Sequence, residues 1–458
     1  MLVALDGTIL LVAQPGLQRG LDASPAQVQW TSTGYLVAVA SLLVIAGRLG
    51  DRYGHARLLL IGVLGFGASS AGIALAPSVG WVIALRVAQG VFGALLQPAT
   101  LALLRLTYPV ERLGTPVAIR TGAIGVAAGA GPVLGGVLVA QWGWRAVFWI
   151  NVPIALAVVV LALAARVPVP ERSRSQPLDL RGAALLTSTL AVLVHTLAGV
   201  PAHGWTAPPT LLGLLTTACV TTVLARHERR TTHPIVPRAV ARSVPVTAAM
   251  ALLLATTAGL FGTLFTATFY LQDVLGLDAL SCGLHVLPLT VLMVLGSPVA
   301  ATALRRHGPR RCATAGTALV VLGIAALSRS GPDSTWLFMG SAFAALGAGF
   351  ATVMVTATGT VVGDAPADCA GVVGGLKQTA MNIGPTLGIA IAAATGASAI
   401  GTPATPAPAL GPTLLVLAAV TALGTLPSFL LPGRPSRRAG TDTTEPTGPH
   451  ARREKRAT

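Results

Sequence analysis

Apolar runs of roughly 20 residues recur along almost the whole chain, each long enough for an α-helix rising 1.5 Å per residue to cross a hydrocarbon core of about 30 Å. No soluble domain of useful size fits between them. Only 10% of the residues are charged and 53% are hydrophobic, whereas soluble domains carry about 25% charged residues. The chain is therefore read as an all-α integral membrane protein.

Turn and charge breaks divide the runs into spans near residues 1–17, 30–46, 58–76, 82–104, 116–140 and 146–165. Two spans follow a polar link, 183–200 and 209–225, and after a basic link come six more, 246–271, 280–304, 312–327, 336–362, 371–400 and 410–431. The expectation is fourteen spans: a six-helix bundle over 1–165, two inserted spans with basic linkers over 166–242, a second six-helix bundle over 243–431, and a disordered basic cytoplasmic tail over 432–458. With that count, 26 of the 31 Lys and Arg residues fall on one side. The side rich in Lys and Arg is the cytoplasmic one, so both termini are expected there. Arg86 and Lys377 are exceptions that lie inside spans.

The formal net charge is +16, which topology and anionic lipid headgroups explain without a nucleic-acid partner. Four cysteines lie far apart with no CxxC or His/Cys spacing, so neither a metal site nor a disulfide framework is expected. They read as small core residues.

Two short patterns repeat at nearly one spacing. GPVLG at Gly131 recurs as GPTLG at Gly384, 253 residues later, and RYGHAR around Gly54 recurs as RHGPRR around Gly308, 254 residues later. Together they predict a duplication that maps the first six spans onto the last six. The inserted pair falls between the copies.

Several motifs carry polar chemistry into this apolar frame. GRLGDRYGHAR, after the second span, contains Gly47, Asp51, Arg52, Gly54 and Arg57. Glycines let two helices turn back closely, and Asp and Arg can form a latch, although a plain charged turn uses the same residues. The fourth span places Arg86, Gln89, Gly90, Gly93 and Gln97 on one helical face. A buried arginine costs at least about 2.5 kcal/mol on insertion scales and avoids lipid; on its own it reads as one that snorkels or braces a neighbour. In the fifth span, Gly131, Gly135 and Gly136 remove side chains and Pro132 interrupts the backbone ladder, which suits close packing. WGWRAVFWINVPI follows, with Trp142, Trp144 and Arg145 as outer-interface anchors and Asn151 turned toward a cavity. Further polar residues inside spans are Gln272, His285, Lys377, Gln378 and Asn382, while His195 in the inserted pair reads as packing.

These motifs resemble the major facilitator superfamily, and within it the fourteen-span drug:proton antiporter branch. The order Gly47, Gly50, Asp51, Arg52, Gly54, Arg57 is similar to the superfamily's signature between spans 2 and 3. RxxQGxxxA at Arg86 resembles its span-4 motif, whose arginine takes part in proton coupling, and GPxxGG in the fifth span marks its antiporters. FYLQDVLGLDALSCGLHVLP and GLKQTAMNIGPTLG are similar to the drug-efflux branch, as is MLVALDGTILLVAQP, where Asp6, Thr8, Ile9 and Pro15 match the first-span motif.

The resemblance implies the major facilitator fold of two six-helix bundles plus two inserted helices. Asp6 and Arg86 would serve proton coupling, and Gln89, Gln97, Asn151, Gln272, His285, Gln378 and Asn382 would line the substrate cavity. Asp51 would face the start of span 13 near Ala370 and Gly371; Arg305 stands at its place in the second copy, so the latch would be one-sided. The expected activity is proton-coupled export of small amphipathic or cationic organic compounds, such as drugs or antibiotics, by a monomer in a bacterial cytoplasmic membrane. No cofactor is expected beyond the proton gradient. An uptake symporter is the near alternative, which GPxxGG counts against. A membrane enzyme is a remote one, since the chain has no HExxH or GxSxG, and no GxxxxGK[ST] loop suggests ATP as driver. Branch members carry more chain ahead of the aspartate, so the first span is expected to be truncated at Met1.

Overall fold

The computed structural model describes residues 2–109, 112–164, 179–232, 234–277, 279–331, 333–364, 369–400 and 410–433. The expected tail beyond 433 and the link 165–178 lie outside the described residues. Among the described residues every regular element is helical.

The first half consists of α1 (Leu2–Gly20), α2 (Pro25–Tyr53), α3 (His55–Ala74), α4 (Val79–Thr107), α5 (Gly114–Trp142), the short α6 (Ala146–Trp149) and α7 (Asn151–Ala164). Then come α8 (Leu180–His203), α9 (Pro208–Arg230) and the short α10 (Arg238–Arg242). The second half is α11 (Val244–Phe269), running into a π turn at Tyr270–Val274, then α12 (Ala279–His307), α13 (Pro309–Leu327), α14 (Trp336–Asp364), α15 (Ala370–Ile400), α16 (Leu410–Leu423) and α17 (Thr425–Ser428). Eleven helices among the described residues are long and apolar enough to cross a membrane by length and composition.

Local chemistry sets the boundaries. At the start of α2, Ser24 Oγ accepts from the Gln27 amide at 3.3 Å while Gln27 Oε1 accepts from the Ser24 amide at 2.9 Å, a reciprocal cap with proline as the first helical residue. Between α2 and α3 the chain reverses at Gly54, φ +97°, and between α12 and α13 at Gly308, φ +81°. Both values lie in the left-handed region that favours glycine. The two RxGxxR repeats thus form equivalent corners.

The duplication also shows in packing. α5 lies against α1, where a Cβ on Gly131 would collide with Thr8 and one on Gly135 would crowd Ile9. α15 lies against α11 in the same way, with Gly384 against Thr257 and Gly388 against Ala258. The contacted residues are themselves 249 apart in both cases.

The halves meet through α2 and α4 against α15, and α5 against α12 and α14. Gly47 abuts the Gly371 backbone, Gly375 abuts Leu43, and Gly374 lies beside Pro98. On the other flank Ala118 packs with Ala300, Ala301 and Val355. These contacts all fall in the helix halves nearest the Gly54 and Gly308 corners. Two hydrophobic cores fill the first half and one large core fills the second.

The α8–α9 hairpin rests on α2 and α15 together. Val44, Ile235 and Val372 form a small core there with Ala183 and Leu186. Arg48 of α2 donates from Nε to the Ile235 carbonyl at 3.0 Å and from Nη2 to that of Pro234. Thr210 is the only residue of α9 that is buried. His195 stacks on Trp30 with ring centroids 5.4 Å apart, a packing role as expected.

One anchor is corrected. Trp144 is not at an interface but sits in the first-half core, under Gly16 and Gly20 of α1. Arg145 covers it at 4.4 Å and donates to the Ala76 carbonyl at 3.1 Å. Trp142 is exposed, and of the cysteines Cys282, Cys312 and Cys369 are buried while Cys219 is exposed.

Candidate functional site

Asp6 lies one turn into α1, and its carboxylate is buried at 3% exposure. Its Oδ2 accepts from Arg86 Nη1 of α4 at 2.7 Å. Its Oδ1 accepts from Asn151 Nδ2 of α7 at 2.8 Å and from Gln89 Nε2 of α4 at 3.1 Å. Gln89 also donates to Ser70 Oγ of α3 at 2.7 Å, and its Oε1 accepts from Arg86. Arg86 spends Nε on the Thr31 carbonyl of α2 at 3.0 Å, and its guanidinium lies 4.2 Å from the centre of the Tyr35 ring.

The helix geometry explains the convergence. Arg86 and Gln89 are three apart on α4, so they share a face. Gly90, on that same face, lies so close to Tyr35 and Ala38 that a Cβ would sit 2.7 Å from the Tyr35 carbonyl oxygen. That contact brings α2 near enough for Thr31 and Tyr35 to reach the guanidinium. All polar members are buried and charge-assisted hydrogen bonds hold both ions, the condition under which a buried pair is tolerated. Among the described residues this is the only ion pair that an arginine or lysine makes.

A second cluster occupies the α2–α3 corner. Asp51 accepts from the Gly371 amide at 2.8 Å and the Val372 amide at 3.1 Å, the free N–H groups opening α15. A helix start offers unpaired donors and a positive dipole end, so a carboxylate there is favoured. His55 Nε2 lies 3.1 Å from the same carboxylate. Arg52 covers the ring of Tyr53, and Arg57 is exposed. At the duplicated corner, Arg305 donates to Thr115 Oγ1 at 3.2 Å in the first turn of α5. The second corner therefore reaches across to the first half without an acid, and the helix-capping contact exists on one side.

The remaining sequence candidates separate into groups. Gln89 and Asn151 belong to the Asp6 cluster. Gln97 on α4 and Gln378 and Asn382 on α15 are half-buried near the Pro98–Gly374 contact, and Asn382 donates to the Gln378 carbonyl at 2.9 Å. Gln272 is exposed on the π turn; His285, whose Nδ1 lies 2.8 Å from the Ser281 carbonyl, is on α12. Gly131, Gly135 and Gly136 all lie on α5; the first two face α1, whereas a Cβ on Gly136 would meet nothing. Pro132 belongs to α5, with its side chain outside the described residues.

Ser70, Tyr35, Thr31 and His55 were not singled out from sequence. Ser70 carries a faint signal, a Ser69–Ser70 pair in an otherwise apolar helix. Thr31 contributes a carbonyl, which no side-chain motif can reveal.

Two helical halves locked at one end by a helix-capping carboxylate, with a buried ion pair inside the first half, define a secondary transporter with parallel repeats. The chain belongs to the Major Facilitator Superfamily, whose profile matches residues 1–389; it is a transporter and not an enzyme. It is 41% identical over 401 residues to the tetracenomycin C resistance and export protein of Streptomyces glaucescens, covering 88% of this chain and 74% of that one. It is 30% identical to the multidrug resistance protein Stp of Mycobacterium tuberculosis over 85% of this chain and 72% of that one. With the puromycin resistance protein pur8 of Streptomyces alboniger the identity is 32%, over 87% and 80%. Among solved structures, the human organic anion transporter MFSD10 superposes with a TM-score of 0.65 at 17% identity, over 93% of this chain and 96% of that one. The proton:xylose symporter XylE gives 0.63 at 15%, over 93% and 92%. These likenesses carry the fold alone.

Proposed function

We propose that the chain exports small amphipathic organic compounds, drugs and antibiotics among them, in exchange for protons. The observation that carries the reading is the buried Asp6–Arg86 pair at 2.7 Å. With Asp6 ionised the pair is neutral; a proton on Asp6 leaves Arg86 without its counter-charge, so protonation favours a rearranged packing of α1 against α4. The same two helices belong to the half that Asp51 locks to α15, which links proton state to opening. The resistance and export relatives support the outward direction.

The eleven apolar helices, joined by the long helices α1, α5 and α15, support the fourteen-span topology, with α8 and α9 inserted between two six-helix bundles. An even number places both termini on one side, which the charge distribution assigns to the cytoplasm of a bacterial cell. The transporting unit is a monomer.

Proton release tests the reading. In everted membrane vesicles acidified inside, adding puromycin to the wild type is expected to raise internal pH, reported by a trapped dye. Asp6→Asn is expected to lower that response at least tenfold. A panel of amphipathic compounds that moves no protons with the wild type overturns the coupling.

A further inference from the structure

Lys377 is the eighth residue of α15, a helix of the second half. Its side chain is fully buried, and among the described residues its Nζ has neither a hydrogen-bond partner nor an ion-pair partner. Lysine normally snorkels to water or pairs when it is drawn into an apolar interior; here neither outlet is used. Gln97 of α4 also leaves a buried Nε2 without a partner. Two unpaired buried donors, one from each half, thus flank the closed end: Lys377 lies three residues beyond Gly374 and Gln97 directly before Pro98, and Gly374 and Pro98 touch. The interior carboxylate, Asp6, is committed to Arg86, Gln89 and Asn151 and supplies no counter-ion.

We propose that Lys377 and the Gln97 amide together hold the acidic group, carboxylate or phenolate, of an amphipathic organic anion, which makes organic acids a substrate class of this exporter. An acidic group that accepts from both donors bridges the two halves. Substrate binding then favours the closed Asp51 end. The proposal rests on the export reading for what happens next, but not for the binding itself.

The test uses the purified full chain in detergent with 1-hydroxy-2-naphthoate as the acidic probe and ethidium as the cationic one. Naphthoate is expected to raise the thermal unfolding temperature of the wild type saturably and to quench tryptophan fluorescence. Lys377→Met is expected to weaken naphthoate binding at least tenfold while Lys377→Arg stays within about threefold of wild type. Ligand-free Lys377→Met is expected to unfold no earlier than the wild type, because it removes an unpaired buried charge; that controls for misfolding. Naphthoate binding that is absent in the wild type, or unchanged in Lys377→Met, overturns the proposal. Transport in everted vesicles separates the two readings: Lys377-dependent binding without naphthoate uptake overturns export and leaves the site standing, whereas ethidium or puromycin uptake without naphthoate binding does the reverse.

Discussion

At the scale of the residue, the Asp6 cluster is a closed account of charge. Removing one ion strands the other, and breaking a buried pair costs about 3–5 kcal/mol. Arg86→Met is therefore expected to lower the thermal unfolding temperature sharply, and Asp6→Asn less so, because an amide still accepts from Asn151 and Gln89. The double variant Asp6→Asn/Arg86→Met is expected to regain much of the loss of Arg86→Met alone. Additive losses would show that the two side chains do not depend on each other. The sequence announced Asp6 and Arg86, since a charge in an apolar run has few other uses. It did not announce that Gln89 and Asn151 would turn onto Asp6, because spacing along one helix says nothing about which acceptor a neighbouring helix presents.

At the scale of the element, the corner between α2 and α3 shows how close two helices come when their contact residues are glycines. A Cβ on Gly47 would strike the Gly371 backbone. Gly47→Val is expected to hold the Asp51 end apart, read as faster labelling of a cysteine placed at Val372, and to reduce transport at least tenfold. Asp51→Ala removes the acceptor for two amides and is expected to act in the same direction but more weakly. The inserted hairpin carries a pH dependence of its own. Partial burial acts to raise the Asp179 carboxyl, but hydrogen bonds from the Gly182 amide and from His227, 2.6 Å away, outweigh it and hold the group below its ordinary value of 3.8. Its contribution is fully present above that value and is lost as pH falls through the lower folded one. Amide exchange at the start of α8 is therefore expected to accelerate below about pH 3.8 in the wild type, and to be fast at neutral pH in Asp179→Ala.

At the scale of the molecule, the fold was legible because its signals are long. Twenty-residue apolar runs and two repeats 253 and 254 residues apart survive any error in a single boundary. Trp144 was misplaced for the opposite reason: an interfacial and a core tryptophan have the same local sequence, and only the approach of Gly16 and Gly20 decides between them. Reporter fusions check the topology. Fusions at 54, 232 and 308 are expected to report the cytoplasm, and those at 22, 77, 205 and 330 the outside; one reversed position breaks the fourteen-span order.

The α8–α9 hairpin leans on α2 and α15 at once, and those are the two helices that must part when the Asp51 end opens. Arg48 ties the following link to α2 through two carbonyls, so the hairpin rides with the first half while Val372 slides out from beneath it. Each transport cycle then includes a shear across a small greasy bearing surface. The grip of Val44, Ile235 and Val372 sets a friction on turnover that the two halves without the hairpin would not feel.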